Sequence, residues 1–264
     1  SELIAATEIA FKEDDEILIE SFLDGMEVSV GVIDFKGETI VLGITEIVPT
    51  NEFFDYEAKY EGASEEITPA RTDAETTKRV EEIAKRAFEY LSKYFYDPEF
   101  NGLFWSINAD KTPKDTKNQI YALAFAIYGL SEYYVISQDQ KALEIAINLY
   151  KSIQKYSYDP VNKGYLEAFT RDWQPIEDLR LSDKDANEKK TMNTHLHIIE
   201  AYANLFKVWK DKTLQNVMIE LLETIEKHFI NTETGHLRLF FDENWIEKPD
   251  VISYGHDIEA AWLL

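Results

Sequence analysis

The sequence predicts a mainly α-helical chain, a partial α/α toroid of about three helical hairpins preceded by a small α+β piece with an antiparallel sheet. A glycine-marked turn segment recurs between pairs of helical patterns, and β-branched runs are confined to the front of the chain. Residues 1–86 hold 22 acidic and 8 basic residues, a denser negative charge than in the remainder. We therefore expect two domains of different character, residues 1–86 and residues 87–264.

The first domain is predicted to be a three-stranded meander followed by a loop and a helix. Runs rich in β-branched residues cover 17–23, 27–35 and 38–48, and turn residues separate them. Residues 51–70 are polar yet aromatic, which predicts a long irregular loop of the kind that often carries function. Apolar residues at helical spacing then predict a helix over residues 73–94.

The second domain is predicted to be an array of helix pairs. The segment at residues 96–106 recurs at 158–168 and, more weakly, at 231–241, and its glycines at 102, 164 and 235 lie 62 and 71 residues apart. Such recurrence is typical of a toroid or solenoid in which each unit buries its face against the next. The sequence ends inside a further helical pattern, so we expect an incomplete array. Helical patterns cover residues 116–137, 141–156, 190–209 and 213–229.

Composition excludes several classes of protein. The net charge of −23 repels phosphate backbones and anionic membranes, so no nucleic-acid or membrane partner is expected. The absence of cysteine excludes thiolate nucleophiles and cysteine-ligated metals. The best apolar run, Tyr121 to Leu130, is shorter than a membrane span, and the N-terminal residues lack the features of a signal peptide. We expect a cytoplasmic protein.

The segment 189–209 carries two histidines on one predicted helix. Residues four apart share a helix face, so Asn193 and His197 are co-facial while His195 points away from them. This spacing argues against a metal ion shared by His195 and His197, and no metal site is expected. The apolar neighbours indicate a buried helix. Two core histidines with satisfied hydrogen bonds would therefore also explain the pattern.

A second candidate pair lies near the end of the chain. His256 and Glu259 are three residues apart, close enough on a helix for the carboxylate to orient the imidazole as a general base. Tryptophans such as Trp105 and Trp173 could stack on a sugar ring. An ion pair on a helix surface explains the same spacing equally well.

From about residue 89 onward the chain resembles cellobiose 2-epimerases of the N-acylglucosamine 2-epimerase superfamily. The segments that carry the resemblance are KKTMNTHLH (189–197), EAFTRDWQP (167–175) and SYGHDIEAAWLL (253–264). It implies an (α/α)6 barrel that epimerises the reducing-end glucose of β-1,4-linked disaccharides such as cellobiose, without a metal or nucleotide cofactor. In that family the ring opens, a histidine removes the C2 proton to give an enediolate, and a proton returns on the other face.

The resemblance also implies roles for individual residues. His256 matches an acid/base histidine and Glu259 its helper carboxylate, while Asn193 and His197 match residues that contact the sugar near O1 and C2. Family members use a second acid/base histidine, on helices beyond the last residue here, and an arginine without a clear counterpart. We therefore expect weak or no activity unless those helices are supplied, and self-association through the open half-toroid.

Residues from about 5 to 86 resemble the central part of the ATP-grasp domain of D-alanine:D-alanine ligases. The segments concerned are ILIESFLDGMEVSVGVI (17–33) and TEIVPTNEFFDYEAKYEGASEEITPA (45–70). The resemblance implies adenosine contacts from Glu20 and Glu27 and a phosphate-covering loop with Lys59 and Tyr60. The family's glycine-rich loop and magnesium-binding acids have no match, so ATP and Mg would be cofactors only of a complete domain. A residual ATP-binding fragment, or an inactive chimera joined near residues 84–98, remains the alternative.

Overall fold

The computed structural model describes Thr7, Phe11 and residues 27–35, 38–49, 64–67, 74–182, 185–248 and 251–264. The chain divides into two compact units, Ser1–Ala74 and Glu75–Leu264. The helix that the sequence assigned to the first domain therefore belongs, from Glu75 on, to the second unit. The domain limits at residues 86 and 87 stay a prediction.

The first unit contains an antiparallel sheet in the order β1-β2-β3. Strands β1 (Glu27–Phe35) and β2 (Glu38–Pro49) agree with two predicted strands, and Glu27 pairs with Ile47. Strand β3 (Ser64–Ile67) lies in the stretch that was predicted to be an irregular loop. Its sequence, Ser-Glu-Glu-Ile, has no strand-like alternation, and pairing with β2 rather than local preference defines it. The strand predicted at residues 17–23 lies outside the described residues.

The second unit is an array of helical hairpins, as the sequence predicts. Helix α4 (Met192–Val208) contacts α2 (Ile120–Ser137), α5 (Lys212–Thr224) and α6 (Tyr254–Leu263), so the helices that carry the candidate residues share one core. Fully buried side chains such as Leu123, Leu149, Tyr202 and Phe229 fill that core. The helices are α1 (Ala74–Tyr90), α2 (Ile120–Ser137), α3 (Gln140–Ser152), α4 (Met192–Val208), α5 (Lys212–Thr224) and α6 (Tyr254–Leu263).

Helices α1, α3 and α5 end in the same way, and this confirms the repeat found in the sequence. Each continues into a five-residue π-helical turn and then into a short antiparallel β-turn. The turns are closed by the pairs Tyr96 with Leu103, Tyr158 with Tyr165, and Ile230 with Leu237. The π-helical turns cover Leu91–Phe95, Ile153–Ser157 and Ile225–Phe229.

Two tryptophans link consecutive repeats. Trp173 and Trp245 both adopt left-handed backbone conformations, with φ of 65°. The indole N–H of Trp173 donates to the carbonyl of Phe100 at 2.8 Å, and that of Trp245 donates to the carbonyl of Asn162 at 2.7 Å. In both cases the acceptor lies in the β-turn of the preceding repeat. The tryptophan loops therefore fix each repeat against the previous one.

Helix α2 is the one described helix that is long and apolar enough to cross a membrane. Its mean hydropathy is 1.3 over 18 residues, so it extends the apolar run that the sequence analysis considered too short. In the structure Ile120, Leu123 and Ile127 of this helix are completely buried in the core. Of the 18 residues as a whole, 39% are buried.

Candidate active site

The start of α4 is held by a carboxylate from the preceding repeat. Short strands β4 (Lys190–Thr191) and β5 (Phe240–Phe241) pair just before the helix. Glu167 accepts the backbone N–H of Thr191 at 2.8 Å and the hydroxyl of Thr194 at 2.5 Å. Burial raises the pKa of Glu167 to about 8, against the lowering effect of these hydrogen bonds. Glu167 thus fixes the first turn of α4, from which the candidate residues project.

His195 is a structural histidine. Its Nδ1 lies 2.6 Å from the carbonyl of Thr191, and its Nε2 lies 2.9 Å from the backbone nitrogen of Tyr165. Since a carbonyl only accepts and an amide N–H only donates, the ring is neutral and protonated at Nδ1. Complete burial lowers its pKa to about 3. His195 therefore takes the role of a core histidine with satisfied hydrogen bonds.

His197 lies between two carboxylates. Its Nδ1 is 2.9 Å from Oε2 of Glu200, and its Nε2 is 3.6 Å from Oε1 of Glu259 on α6. The rings of Tyr121 and Phe125 contact the imidazole, with centroids 5.1 and 4.4 Å away. The side chain is only 8% exposed. The imidazole is therefore held in a fixed orientation.

His256 lines a cavity of about 80 Å³ together with Asn193, Glu167 and Arg180. Its Nδ1 lies 2.8 Å from the hydroxyl oxygen of Ser253, one turn earlier on the chain. The cavity thus places a histidine of α6 opposite an amide of α4.

The predicted pairing of His256 with Glu259 is corrected by these contacts. Glu259 faces His197, and Ser253 is the partner of His256. The reason is that α6 packs along α4, so the two α6 side chains lie beside Asn193 and His197 rather than against each other. His256 and Asn193 thus share one cavity, and His197 and Glu259 face each other.

A second carboxylate of α6 anchors that helix. Asp257 Oδ2 is 2.8 Å from Nδ1 of His236, and its Oδ1 accepts the backbone N–H of Leu237 at 2.9 Å. Burial raises the pKa of Asp257, but the hydrogen bonds from His236 and Leu237 outweigh it and lower the pKa overall. The third β-turn therefore sets the position of α6, and with it that of His256.

The family model of N-acylglucosamine 2-epimerases matches residues 70–264. The chain belongs to this family. A cellobiose 2-epimerase from Bacteroides fragilis is 52% identical over 183 residues, which are 69% of this chain and 47% of that protein. The solved structure of cellobiose 2-epimerase from Bacillus thermoamylovorans is 37% identical with a TM-score of 0.65, over 68% of this chain and 46% of that one. The chain thus spans about half the length of these relatives.

The front of the chain matches another family model, that of the C-terminal region of D-Ala–D-Ala ligases, over residues 1–94. A D-alanine–D-alanine ligase from Christiangramia forsetii is 60% identical over 90 residues, which are 34% of this chain and 28% of the ligase. Both resemblances found in the sequence are therefore confirmed. The mainly α fold class, a partial (α/α)6 toroid, is confirmed as well.

The two tryptophans predicted to bind substrate have different surroundings in this 2-epimerase family member. Trp105 lines an apolar hollow of about 410 Å³ with Tyr121 and Phe125, the two rings that contact His197. Trp173, by contrast, is 5% exposed and stacks on Tyr156 at 4.7 Å. The prediction for Trp173 is corrected because its ring and its N–H are both used inside the fold.

Of the four residues predicted to contact a nucleotide, only Glu27 belongs to the described part of the chain. Glu20, Lys59 and Tyr60 lie outside the described residues. Glu27 is the first residue of β1. Within the described parts of the chain, no group of three histidine, aspartate or glutamate side chains could hold a metal ion.

Glu200 is not among the site residues predicted from the sequence. Residues 197–200 (His-Ile-Ile-Glu) repeat the spacing of residues 256–259 (His-Asp-Ile-Glu). The rule that selected the second pair would also have selected the first. In the structure it is the first pair, His197 and Glu200, that forms the hydrogen bond. Arg180, Tyr121 and Phe125 were also missed, because their proximity to the site arises from tertiary packing.

Proposed function

We propose that the second unit provides the catalytic face of a sugar 2-epimerase that acts on the reducing-end glucose of a β-1,4-linked disaccharide such as cellobiose. The observation that carries the proposal is the packing of α6 along α4. It places His256 beside Asn193 in one cavity and Glu259 beside His197. The names of the similar proteins support the choice of substrate.

In the proposed reaction His256 removes the C2 proton of the open-chain sugar. The C2–H bond breaks, and its electron pair forms the C1–C2 double bond while charge moves to O1, giving an enediolate. The amide of Asn193 donates a hydrogen bond to O1, and the imidazole of His197 accepts one from the hydroxyl group on C2. Return of a proton to the opposite face of C2 inverts the centre. General acid–base catalysis of this kind contributes roughly 10²–10⁴-fold in rate.

His256 serves one face of C2. A histidine that takes and returns the proton on the same face exchanges it with solvent and leaves the configuration unchanged. We therefore propose that this chain by itself exchanges the C2 proton faster than it forms the mannose product. The reduced epimerisation expected from the sequence is part of this proposal.

The test is incubation of the purified chain with cellobiose in deuterated water, followed by NMR of both epimers. We expect deuterium at C2, mainly in unreacted cellobiose, and a loss of about 10²-fold or more in the variant His256→Gln. Glu144→Gln, on the exposed face of α3, is the matched control and should keep the wild-type rate. Exchange that is absent, or unaffected by His256→Gln, would contradict the mechanism.

A residual nucleotide-binding function of the front segment is the second candidate. The ligase match over residues 1–94 and the antiparallel sheet β1-β2-β3 favour it. Calorimetric titration with ATP and Mg should give saturable heat that is weakened in Glu27→Ala. No heat up to millimolar ATP would rule it out, and absence of both activities would leave an inactive chimera.

Self-association through the open half-toroid and a cytoplasmic location also stay proposals. Helix α6 carries apolar side chains that are strongly exposed, with Trp262 at 87% and Ile258 at 72%. Exposed apolar surface of this kind is typical of contact regions. A monodisperse monomer in light scattering would contradict self-association.

A further inference from the structure

Glu200 is the carboxylate that contacts His197 from within the same helix. Its Oε2 lies 2.9 Å from Nδ1 of His197, three residues earlier on α4. Residues three apart on a helix are neighbours, so this contact needs no distortion of the backbone. Glu200 is partly buried, with 22% of its side chain exposed.

The surroundings of His197 leave its ring little freedom to turn away from Glu200. Phe125 and Tyr121 of α2 contact the imidazole, and Glu259 of α6 faces its other nitrogen. An ionised carboxylate can only accept hydrogen bonds. The nitrogen that faces Glu200 must therefore carry a proton whenever the hydrogen bond is formed.

The three histidines of the region obtain their tautomers in different ways. His195 is fixed by backbone groups, the carbonyl of Thr191 and the N–H of Tyr165. His256 faces the hydroxyl of Ser253, which both donates and accepts, so either tautomer fits there. In His197 the choice rests on one side chain, that of Glu200.

We propose that Glu200 is a positioning residue that fixes the proton of His197 on Nδ1 and keeps Nε2 free toward Glu259 and the substrate. The gap of 3.6 Å between Nε2 and Oε1 of Glu259 is too long for a direct hydrogen bond. Two acceptors lie close together there, and a sugar hydroxyl can donate its one proton to either of them. This part of the inference rests on the proposed function.

The tautomer can be measured without substrate. In the ¹⁵N-labelled full chain at mildly alkaline pH, long-range ¹H–¹⁵N correlation spectra separate protonated from unprotonated ring nitrogens. We expect His197 to be protonated at Nδ1 in the wild type and to become a mixture of tautomers in Glu200→Ala. Glu200→Gln retains an acceptor oxygen and should restore the Nδ1 tautomer.

Two controls separate this role from a general structural effect. Glu223→Gln removes an exposed carboxylate from α5 and should leave the spectrum of His197 unchanged. The signals of His195, held by the backbone alone, report whether the fold is intact in every variant. A wild-type ring protonated at Nε2, or a His197 spectrum that is identical in Glu200→Ala, would overturn the proposal. If C2 exchange is absent while the tautomer result is as expected, the proposed function is contradicted but the role of Glu200 in fixing the tautomer is not.

Discussion

The carboxylate of Glu167 accepts the hydroxyl proton of Thr194 at 2.5 Å, across the boundary between two repeats. The same carboxylate accepts the N–H of Thr191, so a buried acidic group replaces the missing hydrogen-bond partner at the start of α4. The geometry of the candidate site therefore depends on a group of the preceding repeat.

The raised pKa of Glu167 predicts a pH-dependent stability. A folded-state pKa of about 8 exceeds the value of 4.5 in the unfolded chain, so the contribution to stability is complete below about pH 4.5 and is lost as pH rises to 8. The upper limit of the loss is roughly 5 kcal/mol. Glu167→Gln cannot ionise. We expect it to gain stability relative to the wild type between pH 5 and pH 8.

Urea unfolding followed by tryptophan fluorescence measures this difference, because all five tryptophans lie in the second unit. Glu144→Gln, an exposed change on α3, corrects for the effect of overall charge. Parallel stability curves for Glu167→Gln and the wild type would show that Glu167 is ionised throughout.

The lowered pKa of His195 predicts that stability falls in acid, opposite to the effect of Glu167. Burial depresses its folded-state pKa to about 3 from 6.5, so its contribution is present above pH 6.5 and is lost as pH falls toward 3. In an NMR titration we expect the ring signals of His195 to stay unchanged from pH 8 to pH 4. The same histidine in the urea-unfolded chain should titrate near 6.5. A folded-state midpoint near pH 6 would contradict the assigned hydrogen bonds.

Two glycines with the same backbone conformation form a matched pair. Gly164 and Gly235 have φ of 77° and 78°. A methyl group on Gly164 would lie 2.6 Å from the ring of Trp245 and 2.9 Å from Nε2 of His195, whereas Gly235 has open space. We expect Gly235→Ala to cost about 1–2 kcal/mol for the left-handed backbone. Gly164→Ala should cost roughly 1–3 kcal/mol more because of the overlap.

Equal losses of unfolding free energy in the two glycine variants would show that the ring of Trp245 moves aside without cost. Thermal melting followed by near-ultraviolet circular dichroism gives both values. The technique reports on the packing of the tryptophan rings directly.

Lys190 is a buried cation with complete hydrogen bonding. Its ammonium donates to Asp159 at 2.9 Å and to the carbonyls of Lys163 and Glu243 at 2.6 and 2.9 Å. Lys190→Met would remove the cation beside Asp159 and the donor to Oδ2 of Asp159 and to two carbonyls, and we expect it to cost about 3–5 kcal/mol. Lys163→Met removes an exposed ion pair with Glu220 and a hydrogen bond to the hydroxyl of Tyr158, and it should cost much less than Lys190→Met. Denaturant unfolding measures the loss of unfolding free energy in both variants. Similar losses would contradict the stabilising role assigned to the buried hydrogen bonds of Lys190.

Much of the helical fold could be predicted because periodic apolar residues and the recurrent glycine turn are local signals. The predicted helix over 141–156, for example, is observed as α3 followed by a π-helical turn that ends at Ser157. Strand β3 could not be predicted in this way, because its charged residues become a strand only through pairing with β2.

Spacing in the sequence could predict which candidate residues share a helix face, but not their contacts. Spacing identifies which residues share a helix face, and Asn193 and His197 were found from it. Which carboxylate faces which histidine depends on how α6 packs on α4, and no pattern within one helix contains that information. Trp173 was misassigned for a related reason, since aromatic content does not distinguish a stacking surface from a buried link between repeats.

The two tryptophan loops determine which segments of the chain can be exchanged with the matching segments of family relatives. Because each indole donates to a turn carbonyl of the repeat before it, a helical hairpin transplanted alone would lose a hydrogen bond at both of its borders. The transferable module instead runs from one β-turn through the next tryptophan, such as Tyr96 to Trp173 or Tyr158 to Trp245. Chimeras with crossover points at these turns should retain their fold, whereas crossovers between the helices of a hairpin should not.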